Sequence, residues 1–392
     1  MEPLLPSVAR HELAELTLEV IGRSQALVQT LPSPLVRQRI AVLVHEMNSY
    51  YSNLIEGHRT FPRDIEKALR DDFSPHAEQR ANQHLARAHI AVEQAMRKRL
   101  LEEPDLRIHS TGFIAWLHQT FYQQLPEELQ YGQRRNGSRY RIEPGQLRSF
   151  EVGVGRHQPP HHAALPVFLE RFEAFYGSDR ILPTNQLLAL AAAHHRLAWI
   201  HPFADGNGRV ARLQSQAWLI RCQADGAGLW TLSRGLARQQ AAYYEHLSAA
   251  DQGRRNDLDG RGNLSDKGLA DFCLFFLRCM RDQIDFMASL FELPTLAARL
   301  QTHLHLAHPD WSLREREHIG RILKAALIDG EIDRATATRA AGVSPATGTK
   351  LIRKALDAGL LTTPSPKGAL SLVFDSNVLE SYFPKLYQDL PG

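Results

Sequence analysis

The sequence predicts a mainly α-helical fold, and three observations support this class. Apolar residues recur at helical spacing over long stretches, as in 187–200 (LLALAAAHHRLAWI). Strand-like alternation is confined to short stretches within 131–160 and 360–374, each flanked by Gly and Pro. The content of 43% hydrophobic and 23% charged residues over 392 positions is typical of a globular protein with a sizeable core.

Four segments follow from the pattern of helices and breaks. Residues 1–104 are predicted to be an N-terminal helical region, and residues 105–290 a helical core that contains one short hairpin. Within that core, the polar and Gly-rich stretch 251–266 predicts a loop before an apolar helix. Residues 291–312 are predicted to be a linker, and residues 313–392 a separate module.

The most informative stretch is 201–209 (HPFADGNGR), together with Arg212. Pro202 disfavours helical geometry at His201, so the apolar helix should end there, and a second helix should start near Gly208. The N-terminus of a helix favours an anion through its free N–H groups and its dipole. Gly206 and Gly208 allow the backbone to approach a phosphate closely.

The side chains of this loop match a phosphate site beside a proton acceptor. Asp205 is a hard oxygen ligand that suits Mg²⁺ between two phosphates. Asn207 can donate a hydrogen bond to a phosphate oxygen, and Arg209 and Arg212 share one face of the second helix's first turn. His201 titrates near neutrality and can take a proton from a hydroxyl nucleophile. A single His or Asp-Gly turn is usually structural, but the combination indicates nucleotide chemistry.

The complete string resembles the signature of the Fic family, H-x-F-x-[D/E]-G-N-G-R-x-x-R. Every fixed position is met, by His201, Phe203, Asp205, Gly206, Asn207, Gly208, Arg209 and Arg212. The resemblance implies a Fic-type helical core that transfers AMP from ATP to a Tyr, Thr or Ser hydroxyl of a target protein or of itself, releasing pyrophosphate. It implies that His201 is the base, that Asp205 holds Mg²⁺ and that residues 206–209 hold the phosphates. A related phosphorylating branch has Lys where Gly208 stands here.

A second motif, Ser52-x-x-x-Glu56-Gly57, follows the helical stretch 40–51. Ser52 and Glu56 lie on one helix face, and Gly57 can close the helix in a left-handed cap. Alone, this is an ordinary helix end with a solvated Glu. Beside the loop motif it resembles the family's inhibitory pattern, [S/T]-x-x-x-E-[G/N]. That resemblance implies that Glu56 pairs with Arg212 and blocks productive placement of the γ-phosphate.

Two further features of the core concern substrate binding. Alternation around Val152, Gly153 and Val154 predicts a short hairpin, which is either a plain surface hairpin or, by resemblance to the family, a flap where a target segment docks as an added strand. Tyr243 lies in a segment that resembles the lining of the family's adenine pocket. It either stacks on the base or belongs to a core Tyr pair.

The module at 313–392 follows the order helix, turn, helix, hairpin and resembles a winged helix-turn-helix. Its third helix, from Ser344 to Ala358, carries Lys350, Arg353 and Lys354, a face that could enter a DNA major groove. The module has eleven Lys/Arg against nine Asp/Glu, so its basic character is weak. Protein contact or dimerisation is the alternative use.

Composition narrows the remaining possibilities. The net charge of +3 argues against a global polyanion-binding field. Three cysteines without a Cys-x-x-Cys pair, no evident signal peptide and no long apolar run favour a cytoplasmic protein without a membrane span. The pairs His161-His162 and His194-His195 lack a carboxylate at suitable spacing, so satisfied or exposed histidines are expected instead of metal ligands.

Three functions therefore remain to be distinguished. The first is an autoinhibited, Mg²⁺-dependent protein adenylyltransferase, for which family resemblance also suggests a homodimer. The second is a DNA-binding regulator whose core only senses nucleotide. The third is removal of AMP by hydrolysis, alone or combined with transfer, in which Glu56 orients a water molecule.

Overall fold

The structure, a computed structural model, describes residues 2, 4–134, 137–155, 157–178 and 181–387. The described chain is mainly helical, which confirms the predicted class. The helices are α1 (Arg10–Gln29), α2 (Pro34–Ile55), α3 (Pro62–Leu69), α4 (Ala77–Glu102), α5 (Thr111–Gln123), α6 (Leu165–Tyr176), α7 (Gln186–Ile200), α8 (Asn207–Arg221), α9 (Leu232–Arg238), α10 (Gln240–Ala250), α11 (Asp266–Phe291), α12 (Leu293–Ala307), α13 (Leu313–Asp329), α14 (Arg334–Ala341), α15 (Pro345–Asp357) and α16 (Leu379–Tyr382). The strands are β1 (Tyr131–Gln133), β2 (Arg139–Arg141), β3 (Leu361–Thr362) and β4 (Ser371–Leu372).

The chain divides into two compact units. The first comprises Met1–Ser24, His45–Asp225 and Thr231–Gln283, and the second comprises Gln25–Val44, Gly226–Trp230 and Ile284–Gly392. This division differs from the four consecutive segments that the sequence suggested, because stretches from the N-terminal half are grouped with the C-terminal part of the chain. The predicted linker 291–312 contains a helix, α12 (Leu293–Ala307).

The first unit is built around α8. This helix packs against α4, α5, α7 and α9, and almost its entire length is buried. The signature loop, residues 201–206, lies between the end of α7 and the start of α8. It is therefore held by two buried helices. A helix buried on all sides is a rigid support for the groups at its N-terminus.

The predicted hairpin region, 131–160, is only partly built from strands. β1 and β2 pair antiparallel, with Gly132 opposite Tyr140. The expected strand alternation at Val152–Val154 is wrong, because there the ladder is reduced to one antiparallel bridge between Val154 and His157. Gly155, in the left-handed region at a φ of 58°, turns the chain at once, and Pro159 and Pro160 cannot donate to a longer ladder.

The second unit contains the elements predicted for the C-terminal module. α13 begins with a capping box between Ser312 and Glu315, and α15 begins at Pro345 with Ser344 as its cap. α14 packs on both α13 and α15, and β3 pairs antiparallel with β4. The three helices and the two-stranded hairpin are therefore confirmed as secondary structure. No helix in the described part of the chain is both long and apolar enough to span a bilayer.

Candidate active site

The signature loop is a sharp turn between two helices. His201 caps α7 in the left-handed region, with φ of 50° and ψ of 63°. Its N–H donates to the Leu197 carbonyl at 3.1 Å. Gly206 starts α8 with a φ of 79°. The left-handed region costs a residue with a Cβ about 1–2 kcal/mol, so the strain at His201 must be offset by the contacts around the loop.

Asn207 and Phe203 tie the loop together. The Asn207 amide accepts from the Phe203 N–H and donates to the Phe203 carbonyl, each at 2.9 Å. The Phe203 side chain is fully buried and stacks on His118 at a centroid distance of 4.0 Å. Asn207 was predicted to bind phosphate through its side chain. Because that amide is already used inside the loop, its phosphate contact would come from the backbone N–H at the start of α8.

Arg148 holds the loop from outside, and no sequence motif identifies it as a site residue. Its Nε donates to the His201 carbonyl at 2.9 Å, and its backbone N–H donates to the Pro202 carbonyl at 2.9 Å. The rest of the guanidinium donates to the carbonyls of Phe150 and Pro160. One buried cation therefore holds both the signature loop and the start and end of the neighbouring turn.

His201 is in the state that a base requires. Burial lowers its pKa to about 4, so the imidazole is neutral at physiological pH. The ring lies in the wall of a cavity of about 500 Å³. A neutral imidazole in such a cavity can accept a proton from a bound hydroxyl group.

The carboxyl group of Asp205 stays ionised although burial disfavours its charged form. Burial acts to raise its pKa, but Arg209 and the hydrogen bond from the Tyr122 hydroxyl, at 2.9 Å, hold it below the ordinary value. His118 donates from Nε2 to the Asp205 carbonyl at 3.2 Å and accepts at Nδ1 from Gly145. An ionised, positioned carboxylate with access to solvent fits Mg²⁺, which takes few protein ligands and keeps water or phosphate for the others.

Arg212 is buried and is hydrogen-bonded to the end of α2 and to Glu56, the residue that follows it. Its Nε donates to the Ser52 hydroxyl at 2.9 Å, and its Nη2 donates to the Ser52 carbonyl at 2.9 Å and to Glu56 Oε1 at 2.6 Å. Burial acts to raise the pKa of Glu56, but Arg212 and Arg209 outweigh it and keep the carboxyl ionised. The pairing of Glu56 with Arg212 that the sequence suggested is therefore present in the structure.

Two glycines make this arrangement possible. A Cβ at Gly208 would lie 2.2 Å from Glu56 Oε1, so the carboxylate rests directly on the first turn of α8. Gly57 closes α2 with a φ of 86°. There the His58 N–H donates to the Asn53 carbonyl and the Gly57 N–H to the Leu54 carbonyl, a left-handed cap of the Schellman type. Glu56 is thus held in the last turn before a fixed helix end.

Arg209 is directed towards α2. Its Nε donates to the Asn53 side chain at 3.0 Å, and its guanidinium lies 5.2 Å from the centre of the Phe121 ring. Of the described residues, the cavity wall includes His201, Asn207, Gly208 and Arg212 but not Asp205, Gly206 or Arg209. The structure therefore brings the first four together and leaves the other three on the adjoining face of the loop.

The apolar end of the cavity is formed by Trp199, Tyr243, Tyr244 and Leu247. Tyr243, predicted to stack on adenine, is only 2% exposed, and its hydroxyl contacts His194 Nε2 at 2.7 Å. Tyr244 is 46% exposed and donates to the Ile55 carbonyl at 2.9 Å. Sequence reasoning selected the more buried member of this pair, and Tyr244 is the better placed to offer a ring face to a ligand.

The two histidine pairs differ in their surroundings. His194 contacts Ser215 and Tyr243, and His195 contacts Asp251 at 3.0 Å, so both are buried members of hydrogen-bonded networks. His161 and His162 lie at the surface, close to Glu151. Asp251 also lies 3.6 Å from His157, which contributes to the cavity wall.

Residues 108–219 match the Fic/DOC family. The chain is 34% identical over 139 residues to Protein adenylyltransferase Fic of Drosophila mojavensis, which is 36% of this chain and 26% of that protein. It is 30% identical over 170 residues to the protein of the same name in Drosophila grimshawi, which is 43% of this chain and 34% of that protein. These comparisons support a Fic-family protein, although the chain spans only about a third or less of either relative's length.

A solved structure resembles the whole chain. The crystal structure of a Fic family protein from Desulfovibrio desulfuricans G20 superposes with a TM-score of 0.56, covering 96% of this chain and 99% of that one. The sequence identity over this match is 20%, so the likeness concerns the fold.

Proposed function

We propose that this protein is a protein adenylyltransferase that Glu56 holds in an inhibited state. One observation carries the proposal: a neutral His201, the N-terminus of α8 and the paired Arg212 face one cavity of about 500 Å³. A cavity of this size can hold a nucleotide, and its apolar end at Trp199 and Tyr244 suits a purine ring. ATP is the substrate that the loop signature implies.

In the proposed reaction, a hydroxyl oxygen of the target attacks the α-phosphorus of ATP. The bond from that phosphorus to the bridging oxygen breaks, pyrophosphate leaves, and AMP remains on the target. His201 accepts the hydroxyl proton, while the backbone N–H groups at the start of α8 bind the phosphates. Mg²⁺ held by Asp205 would neutralise part of the phosphate charge. The hydroxyl belongs to a Tyr, Thr or Ser of another protein or of this chain.

Glu56 opposes this reaction by charge and by position. Its carboxylate accepts a hydrogen bond from the Arg212 guanidinium at 2.6 Å and lies against Gly208. Both are groups that would otherwise meet the terminal phosphate. A second anion at that point is repelled, and three of the five N–H groups of the guanidinium are already donated to Ser52 and Glu56. Inhibition therefore needs no lid or separate protein.

The first test is AMP transfer by the Glu56→Gly variant. We expect label from α-³²P-ATP to enter protein at least about tenfold faster than with the unaltered chain, because one charge-assisted hydrogen bond no longer competes with the phosphate. Label from γ-³²P-ATP should leave with pyrophosphate, and mass spectrometry should find the mass of one AMP on a hydroxyl residue.

Two matched variants sharpen this experiment. Glu56→Gln keeps the length of the side chain and removes its charge, so its rate should lie between those of the other two proteins. His201→Ala in the Glu56→Gly background should lower the rate by about 10²–10⁴. Equal α-label in all of these proteins, or retention of the γ-label, would contradict the proposal.

Hydrolytic removal of AMP is a second candidate, and the ionised state of Glu56 favours it. A carboxylate at the cavity wall could orient a water molecule towards a phosphorus bound beside His201. An AMP-modified target, prepared with the Glu56→Gly variant, distinguishes the two reactions. Release of AMP by the unaltered chain but not by Glu56→Gln would support removal as the resting activity.

A separate proposal concerns DNA contact by the C-terminal module. Lys350 and Arg353 lie exposed on α15. Lys354 donates to Glu315 at 2.7 Å and lies over the Trp311 ring, so it is engaged within the module. Binding of mixed-sequence duplex DNA that weakens in a Lys350→Ala, Arg353→Ala variant would support this role. Self-association into a homodimer can be measured in the same samples by sedimentation.

A further inference from the structure

A group of three metal-ligating side chains lies outside the nucleotide cavity. His162 Nδ1 lies 2.7 Å from Glu151 Oε1, and His161 Nε2 lies 3.5 Å from the same oxygen. One ligand atom from each residue can be chosen so that all three lie within 4.8 Å of one another. The paired histidines are visible in the sequence, but Glu151 lies eleven positions before His162, so their contact depends on how the intervening turn folds.

The fold brings these residues together where the two ends of the turn 151–162 meet. We call this place the neck of the turn. Arg148 donates to the Phe150 carbonyl next to Glu151 and to the Pro160 carbonyl next to His161. The chain between them returns on itself through the bridge of Val154 with His157. Val154, Gly155 and His157 at the far end of the turn line the nucleotide cavity. A ligand at the neck would therefore act on the wall of the active site.

The donor set favours a transition metal over Mg²⁺. Two imidazole nitrogens and one carboxylate oxygen are a common protein ligand set for zinc, with a fourth position left to water. Ligand atoms about 2.0–2.1 Å from a tetrahedral ion lie roughly 3.3 Å apart. The three ligand atoms, which lie within 4.8 Å of one another, must therefore move closer together when the ion binds. The side chain of His161 is 65% exposed and held at Nδ1 only by a 3.3 Å contact with the Ala163 N–H, so it can move at little cost.

We propose that Glu151, His161 and His162 form a site for Zn²⁺ or a similar divalent transition metal, which fixes the turn 151–162 beside the catalytic loop. The ion replaces the hydrogen bond between His162 and Glu151 and releases any proton held on the two coordinating nitrogens. The site goes beyond the proposed AMP transfer, for which Asp205 would hold Mg²⁺. It does not require that reaction to occur.

The test is a titration of the metal-free protein with Co²⁺, followed by displacement with Zn²⁺. The visible absorption of Co²⁺ bound to nitrogen and oxygen ligands reports occupancy directly. We expect one strong site, and the variants Glu151→Gln, His161→Asn and His162→Asn should each weaken it by at least about tenfold. All three residues are at least partly exposed, so the variants should keep the circular dichroism spectrum and melting temperature of the parent.

The matched control is His11→Asn. His11 lies 3.4 Å from Glu15, and the two side chains are 88% and 64% exposed, so they form a surface histidine–carboxylate pair without a third ligand among the described residues. Its removal should leave Co²⁺ affinity unchanged. Unchanged affinity in a variant with all three proposed ligands replaced, or an equal loss in His11→Asn, would overturn the site.

The effect on the turn has its own measurement. Zn²⁺ should slow amide hydrogen exchange of residues 151–162 in the parent and in His11→Asn, and leave it unchanged in Glu151→Gln. Binding without such protection would overturn the claim that the ion fixes the turn. Because neither readout uses ATP, failure of this proposal is distinguishable from failure of the proposed AMP transfer.

Discussion

The burial of His201 sets the pH range in which it can serve as a base. Its pKa of about 4 lies well below the ordinary 6.5, because burial penalises the charged ring. The neutral form therefore persists until the pH falls near 4. For AMP transfer by the Glu56→Gly variant we expect a rate that is nearly constant from pH 8 to about 5.5. The measurement is the pH profile of kcat/KM.

The pH profile needs a check on folding. Circular dichroism at each pH separates loss of the base from loss of the structure. An acidic limb with its midpoint near 6.5, in a protein that remains folded, would show that His201 is not buried as described.

Two arginines show which residues of the site could be found from the sequence. Arg212 belongs to the loop signature, and its pairing with Glu56 was implied by the resemblance of Ser52-x-x-x-Glu56-Gly57 to the family's inhibitory pattern. Arg148 binds backbone carbonyls of His201, Phe150 and Pro160. Backbone acceptors carry no sequence signal, so the role of Arg148 becomes visible only when the chain is folded.

The end of α2 places Glu56, and Gly57 determines where that helix ends. Gly57 has a φ of 86° with no atom close to where a Cβ would stand, so Gly57→Ala introduces backbone strain without a clash. We expect it to lower the free energy of unfolding by about 1–2 kcal/mol. Gly57→Asn should cost less, because Asn tolerates the left-handed region. Urea denaturation of the three proteins gives the comparison.

Gly22 provides the matched control for this element. It lies inside α1, also with no atom near a Cβ position, but with no positive φ. Gly22→Ala should raise the free energy of unfolding by about 0.5–1 kcal/mol, because it removes the entropy cost of a helical glycine. The same sign for both alanine variants would contradict the left-handed geometry at Gly57.

Helices were predicted better than the hairpin region, for a physical reason. The third helix of the C-terminal module was predicted from Ser344 to Ala358, and in the structure these two residues cap α15 at its two ends. The turn around Val154 was predicted as strands from two alternating valines. Alternation alone does not define a ladder, and here Gly155 and the two prolines leave only one bridge.

At the level of the whole molecule, buried histidines couple stability to pH. Burial lowers the pKa of His89, His118 and His201 to about 4 and of His109 and His194 to about 3. The unfolded chain binds protons at these sites below pH 6.5, whereas the folded chain does not until about pH 4. Stability should therefore fall on acidification between those values, by up to about 1.4 kcal/mol per pH unit for each histidine.

His89 offers the cleanest test of this coupling. Neither of its ring nitrogens has a hydrogen-bond partner among the described residues, so His89→Leu removes a titratable group without breaking such a bond. Its urea midpoint should decrease less between pH 7 and pH 5 than that of the parent. The exposed His11→Asn variant should follow the parent, and identical slopes in all three proteins would rule out the coupling.

The organisation of the whole chain was the least accessible from sequence. The helices of the C-terminal part were predicted individually, but residues 25–44 and 226–230 belong to the same compact unit as 284–392. Segments are assigned from a sequence at the points where its composition changes. Composition does not show that distant stretches pack together, since that depends on packing between side chains far apart in sequence.

The closeness of Gly208 to Glu56 has a consequence for which evolutionary substitutions at position 208 leave Glu56 in its place. Because a methyl group at position 208 would overlap the carboxylate, any larger residue there requires the Glu56 side chain to move from its place on α8. If Glu56 inhibits the protein as proposed, a lineage that acquired a side chain at this position would lose that inhibition in the same mutation. Its activity would then have to be restrained by other means, such as low expression or a separate antagonist.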